Sequence, residues 1–306
     1  MKKIETVAIV GLGALGTLFG NLLSKQMCKE DLRIIADEGR IKRYKKDGVY
    51  SNGEACAFHY VTSQEITVPA DLVLIAVKSL QLNDAVIAMQ NQVGPDTLIL
   101  SLLNGISSEG IIAERYGMEK IIYCVAQGMD AVKEGNHLTY SRMGKLCIGP
   151  EAGGPIPEKV QRAAAFFESV SFPYEVDAHM LRRMWGKFML NVGVNQTVAV
   201  FGPDYEAVLR EGEQRQTMIS AMREVMELSK LEGVNLGEED IHYWLGILGT
   251  LSPKGKPSMR QDVEAKRHSE VELFAGTVLT LAKKHGFPTP VNQMLYENII
   301  TMESRY

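Results

Sequence analysis

The stretch Gly11-Leu12-Gly13-Ala14-Leu15-Gly16 constrains this chain more than any other. It follows a short, β-branched apolar run over residues 6–10 and opens into an apolar segment over residues 15–23. Glycines in the pattern G-x-G-x-x-G occur in many ordinary turns. Between a buried strand and a helix, they predict the first βα turn of a doubly wound sheet that binds a dinucleotide. Gly11 permits the tight turn, Gly13 lets the backbone approach a pyrophosphate, and Gly16 lets helix and strand pack closely. The pyrophosphate would rest on backbone N–H groups around Leu12, Ala14 and Leu15, at the positive end of the helix dipole. A second strand over residues 32–36 ends in Asp37, about 20 residues past the glycines, where a ribose-binding carboxylate belongs.

The same alternation continues. Residues 49–60 read as a small hairpin around Asn52-Gly53, a good turn pair. A buried strand over 72–77 ends at Lys78, and another over 98–103 ends at Asn104-Gly105. In open α/β sheets, ligands bind beyond the carboxyl ends of the strands, so Lys78 and Asn104 stand where a cofactor or substrate would lie. A solvated strand end is the competing reading of each. Strands over 121–126, 137–141 and 145–148, a helix over 158–169 and a strand over 174–176 complete a dinucleotide-binding domain over residues 1–178.

After residue 178 helical patterns take over, so residues 179–306 are expected to form an all-helical domain. The segment 180–200 is largely apolar, yet it carries Lys187, Asn191 and Asn195 at intervals of four. At 3.6 residues per turn these three form one stripe on one face. Such groups in an apolar helix are costly unless they meet partners, which favours a pocket lining over a solvated stripe. Gly202-Pro203-Asp204 stops that helix. Further helices are expected over 205–231 and 238–248, and from Ser258 through Glu264 and Glu270 to about residue 285. Ser258-Met259-Arg260-Gln261 fits a capping box, so Ser258 either caps the helix, faces a ligand, or does both.

Composition narrows the class. The chain has 306 residues, long enough for two cores, and 45% hydrophobic with 23% charged residues is ordinary for a globular protein. A formal charge of −4 favours neither nucleic acid nor an anionic membrane. No apolar run approaches a membrane span. The N-terminal Met1-Lys2-Lys3 and the apolar residues after it break into the glycine turn, so they read as a strand and not a signal peptide. Four scattered cysteines and six histidines without ligand spacing suggest buried thiols in a reducing cytoplasm and no metal.

Taken together, the glycine turn, Val77-Lys78, Asn104-Gly105, Trp185-Gly186-Lys187-Phe188-Met189-Leu190-Asn191 with Asn195, and Pro257-Ser258-Met259-Arg260-Gln261-Asp262 with Arg267-His268-Ser269-Glu270 resemble the ketopantoate reductase (2-dehydropantoate 2-reductase) family. The resemblance covers nearly the whole chain and ends in Pro288, Pro290 and Asn292. It implies a Rossmann-type α/β domain followed by an all-α domain, and reduction of the 2-oxo acid 2-dehydropantoate to pantoate by hydride transfer from a nicotinamide cofactor. It also implies Lys187 as proton donor, Glu270 as the carboxylate orienting substrate and lysine, and Asn104, Asn191, Asn195 and Ser258 on the substrate. Lys78 would lie near the cofactor. A homodimer is compatible with it.

Two departures stand out. NADPH-dependent members commonly carry an arginine after the second strand, where this chain has Asp37; the pair Ala275-Gly276 also replaces a usual Asn-Gly. Asp37 suits the ribose hydroxyls of NAD. Arg40 opens a basic run, Arg40-Ile41-Lys42-Arg43-Tyr44-Lys45-Lys46, that can supply a phosphate-binding arginine if Asp37 turns away. The family's habit favours NADPH, with NAD as the alternative. The competing functions are reduction of another 2-oxo acid and nucleotide sensing without turnover.

Overall fold

The computed structural model describes residues 2–202 and 204–306; Met1 and Pro203, named in the readings above, lie outside the described residues. Chain contacts divide the molecule into two units, Met1–Met180 and Leu181–Tyr306.

The first unit is built on an eight-stranded sheet. Its strands are β1 (Val7–Val10), β2 (Leu32–Ile35), β5 (His59–Val61), β6 (Leu72–Ile75), β7 (Leu98–Ser101), β8 (Ile121–Gln127), β11 (Lys145–Gly149) and β12 (Tyr174–Val176). Their spatial order is β12-β11-β8-β7-β6-β1-β2-β5, and every pairing is parallel except β8 with β11. The helices of this unit are α1 (Ala14–Ser24), α2 (Glu38–Asp47), α3 (Leu82–Ala88), α4 (Ser108–Tyr116) and α5 (Glu158–Ser169). Val7, Ile9, Leu72 and Leu74 pack with Phe19 of α1 and Phe167 of α5, whereas Ala8, Val10, Val73 and Ile75 pack with Val86 of α3 and Ile112 of α4. Both faces of the central strands are therefore covered, which is why they read as unbroken apolar runs.

A second, four-stranded sheet lies in the same unit. It consists of β3 (Tyr50–Ser51), β4 (Glu54–Ala55), β9 (Val132–Glu134) and β10 (His137–Thr139), in the order β4-β3-β10-β9. Asn52 and Gly53 both take positive φ, 48° and 84°, the twist a two-residue hairpin demands. The expected hairpin is correct at its turn but too long at its second arm. Its strand ends at Ala55, and residues 59–61 join β2 at the edge of the large sheet.

The second unit is helical: α6 (Met180–Phe201), α7 (Tyr205–Leu209), α8 (Glu213–Leu231), α9 (Glu238–Gly249), α10 (Ser258–Glu264), α11 (Thr277–His285) and α12 (Pro290–Glu303). Two glycines on α6 allow close crossings. A Cβ on Gly193 would meet Met222 Cγ of α8 at 2.5 Å, and one on Gly186 would meet Trp244 Nε1 of α9 at 2.1 Å.

Two expected helices are each interrupted. The one over 205–231 is split because Arg210 is extended and Gly212 takes φ 148°. The one starting at Ser258 stops at Glu264, where Lys266 turns left-handed at φ 51° and Arg267 folds back onto Asp262. A π-helical turn over Glu272–Gly276 then leads into α11. The capping box is also absent. Pro257 occupies the N-cap, no side chain caps the helix, and Gln261 reaches the Lys256 carbonyl instead. Cys28 is exposed instead of buried, while Cys124 and Cys147 are buried as expected.

Candidate active site

In the first unit three of the predicted cofactor residues, Gly11, Asp37 and Arg40, stand at one cavity near the carboxyl ends of β1, β2 and β6. A cavity of about 250 Å³ is lined there by Gly11, Asp37, Arg40, Val77, Gln81 and Asp84, among others. Two of the three glycines, Gly11 and Gly16, are spatially obligatory. A Cβ on Gly11 would stand 2.6 Å from Val77 Cγ1, and one on Gly16 would stand 2.0 Å from the Gly11 carbonyl oxygen. Gly13 is the N-cap of α1 and no side chain occupies the helix's first N–H groups. These donors are left to an anion, so the turn fits a pyrophosphate.

Asp37 does not turn away from Arg40. It is the N-cap of α2, with Oδ1 accepting the Arg40 amide at 2.8 Å and Oδ2 3.3 Å from Arg40 Nε. Lys42, Arg43, Lys45 and Lys46 lie on the exposed face of that helix, around the buried Ile41 and Tyr44. Lys78 is separated from the end of β6 by Ala76 and Val77 and is exposed, outside the lining of the cavity. Asn104 is half-buried in the turn between β7 and α4, beside Gly105 at φ 95°.

In the second unit the polar stripe of α6 has a distinct exposure. From Met184 to Ala199 every residue is buried except Lys187 and Asn191. Asn195, one turn further on, is buried and accepts a hydrogen bond from Ser258 Oγ at 3.5 Å. The structure thus joins two predicted substrate residues from α6 and the first turn of α10. Glu270 is half-buried at the corner between α10 and the π-helical turn, where its carbonyl accepts from the Leu273 amide at 3.0 Å.

Several polar groups that sequence reasoning missed support these positions. The buried Glu303 carboxylate of α12 accepts the Ser269 amide at 2.9 Å and its hydroxyl at 2.6 Å, and lies 3.2 Å from His268 Nδ1. It therefore fixes the residue preceding Glu270. Gln196 of α6 donates to Asn292 Oδ1 at 3.0 Å, and Asn292 donates to Glu224 of α8 at 2.7 Å. The run Asn195-Gln196-Thr197, three polar residues in an apolar helix, was the available signal. In the first unit, Glu109 is buried at the start of α4, and burial pushes its carboxyl up to about 7. Its Oε2 accepts from Ser108 Oγ at 3.0 Å, and the Ser108 and Ser101 hydroxyls lie 2.8 Å apart. Among the described residues no cluster could hold a metal ion, and no helix is long and apolar enough to cross a membrane.

The chain matches two family models, "Ketopantoate reductase PanE/ApbA" over residues 7–153 and its C-terminal counterpart over residues 179–303. It is 26% identical over 294 residues to the 2-dehydropantoate 2-reductase of Halobacterium salinarum, covering 94% of this chain and 96% of that one. Among solved structures, a PanE/ApbA family ketopantoate reductase from Ralstonia eutropha superposes with a TM-score of 0.84 at 24% identity, over 98% of this chain and 99% of the other. D-mandelate dehydrogenase, in a ternary structure with NADH and anilino(oxo)acetate, shares the fold with a TM-score of 0.84 at 21% identity, over 98% and 99% of the two chains. The glycine turn, the two-unit architecture and these matches agree: the chain belongs to the ketopantoate reductase family of NAD(P)-dependent oxidoreductases.

Proposed function

We propose that the chain reduces 2-dehydropantoate to pantoate with NADPH in the cytoplasm, as a step toward pantothenate. The observation that carries the catalytic part is the exposure pattern of α6, in which Lys187 and Asn191 alone break an otherwise buried stretch. When bound, the reduced nicotinamide supplies hydride to the C2 carbonyl. Oxygen there gains negative charge, and Lys187 Nζ stabilises it and delivers the proton that completes the alcohol. Glu270 orients the substrate and Lys187. Asn191, the Ser258–Asn195 pair and Asn104 hold the substrate's carboxylate and hydroxyl in the reactive pose. Lys78 assists at the cofactor, and Arg40 takes the 2′-phosphate, exchanging Asp37 for it.

One observation favours a second reading, NADH as the reductant. Asp37 lines the cavity and contacts Arg40 twice, so a 2′-phosphate reaching that arginine would meet a carboxylate as well. The relative D-mandelate dehydrogenase is described with NADH. The test of function is steady-state oxidation of NADPH and NADH against 2-dehydropantoate and a panel of alkyl and aryl 2-oxo acids. A higher kcat/KM for any other 2-oxo acid than for 2-dehydropantoate would replace the substrate assignment. Failure of every substrate with either cofactor would leave nucleotide sensing.

A further inference from the structure

Lys133 belongs to β9 in the small sheet, yet its ammonium reaches the glycine-rich turn. Nζ donates to the Leu12 carbonyl and lies 2.9 Å from the Thr17 hydroxyl of α1, which itself donates to the same carbonyl at 3.4 Å. The Leu12 oxygen is thus held from one side by two donors. A trans peptide is planar, so fixing that oxygen sends the Gly13 N–H to the opposite side.

The lysine is half-buried, and the charged or titratable groups facing it are Cys56, ahead of β5, and Arg43 of α2. No carboxylate of the described residues offsets it. A partly buried cation without a counter-ion is unfavourable by itself. The group that approaches this turn in a dinucleotide-binding domain is a pyrophosphate, an anion.

We propose that Lys133 is a positioning residue for the dinucleotide: it fixes the Leu12 carbonyl so that the N–H groups of the turn face the pyrophosphate, and the pyrophosphate supplies the missing negative charge. This rests on the family's use of a dinucleotide and is independent of which 2-oxo acid is reduced.

The arrangement has a pH signature. Burial brings the Lys133 ammonium down to about 8, whereas burial pushes the Cys56 thiol up to about 11. Guanidinium groups keep their charge throughout this range. An anion bound nearby favours the protonated lysine, so binding takes up protons around pH 8. Affinity should therefore fall as pH rises through 8.

The experiment titrates NADPH and NADH by nicotinamide fluorescence, without any 2-oxo acid, from pH 6.5 to 9.5. It uses the full chain and its Lys133→Met and Cys56→Ser variants. We expect Lys133→Met to raise Kd roughly tenfold at pH 7 and to abolish the loss of affinity through pH 8. Cys56→Ser should follow the parent. The cofactor-free Tm of Lys133→Met at pH 7 should equal or exceed the parent's, because an uncompensated charge has been removed. A Kd within twofold of the parent's, a pH dependence that persists in Lys133→Met, or a binding defect accompanied by a lower Tm would each overturn the proposal.

Discussion

Asp37 and Arg40 are joined twice, through the backbone amide at 2.8 Å and through the guanidinium at 3.3 Å. The carboxylate therefore does two things: it caps α2 and neutralises the one arginine in the cavity lining. For Arg40 to hold a 2′-phosphate, it must leave Asp37. Asp37→Asn keeps a capping side chain while removing the charge. Both side chains are largely exposed, so the electrostatic effect is on the order of 1 kcal/mol, well below a buried pair. We expect Asp37→Asn to raise kcat/KM for NADPH about fivefold, and Arg40→Ala to lower it by a similar factor while sparing NADH. A parent that prefers NADH and is indifferent to Arg40→Ala would make Asp37 the deciding residue.

Lys187→Ala should lose most turnover while still binding cofactor. Removing a general acid typically costs about 10²–10⁴-fold in rate. Single-turnover reduction and a separate cofactor titration distinguish the two steps. Turnover within about threefold of the parent would reduce Lys187 to a structural residue.

Glu270→Ala should lower kcat and raise the KM of the 2-oxo acid together. Its control is Glu264, only six residues earlier. Glu264 is exposed and bonded to Lys256 at 2.8 Å and to Arg260 at 3.0 Å, which hold its carboxyl below the usual carboxylate range. Glu264→Ala should leave both constants within about twofold, since exposed ion pairs contribute roughly 0–1 kcal/mol. Equal losses from the two variants would remove Glu270 from the site.

Glu109 sets a pH dependence of stability. Its carboxyl titrates near 7 in the fold and near 4.5 in an unfolded chain. Between those values the unfolded state releases a proton that the folded state keeps, so this residue's contribution is full below 4.5 and is lost as pH rises through 7. The loss is on the order of 3 kcal/mol, about 1.4 kcal/mol for each pH unit between the two values. Glu109→Gln should flatten denaturant stability across that window and be more stable than the parent at pH 8. A parallel pH profile in the variant would contradict the assignment.

What could be read from the sequence was what is encoded within a few residues. The glycine turn was legible because three backbone constraints fall inside six positions, and the apolar strands because both their faces are covered. The stripe Lys187-Asn191-Asn195 was legible because one helical period relates its members. The break before Glu270 was not, since Ser258 to Glu264 continues into residues of adequate helical propensity. What ends the helix is Arg267 returning to Asp262, and what orders the corner is Glu303, thirty-four residues beyond Ser269. The contact between Ser258 and Asn195, sixty-three residues apart, was equally out of reach of local pattern.

The small sheet changes what counts as the smallest complete dinucleotide module in this chain. Asn52 exchanges two hydrogen bonds with Tyr140, eighty-eight residues away, and Lys133 meets Leu12 across a separation of 121. Closing such long loops adds little entropy over closing shorter ones, but it delays the contact until the distant strand exists. During synthesis the glycine turn therefore emerges long before the lysine that supports it. A fragment ending ahead of Val132 would possess the turn, the first helix and Asp37, yet Leu12 would lack the ammonium that steadies its carbonyl.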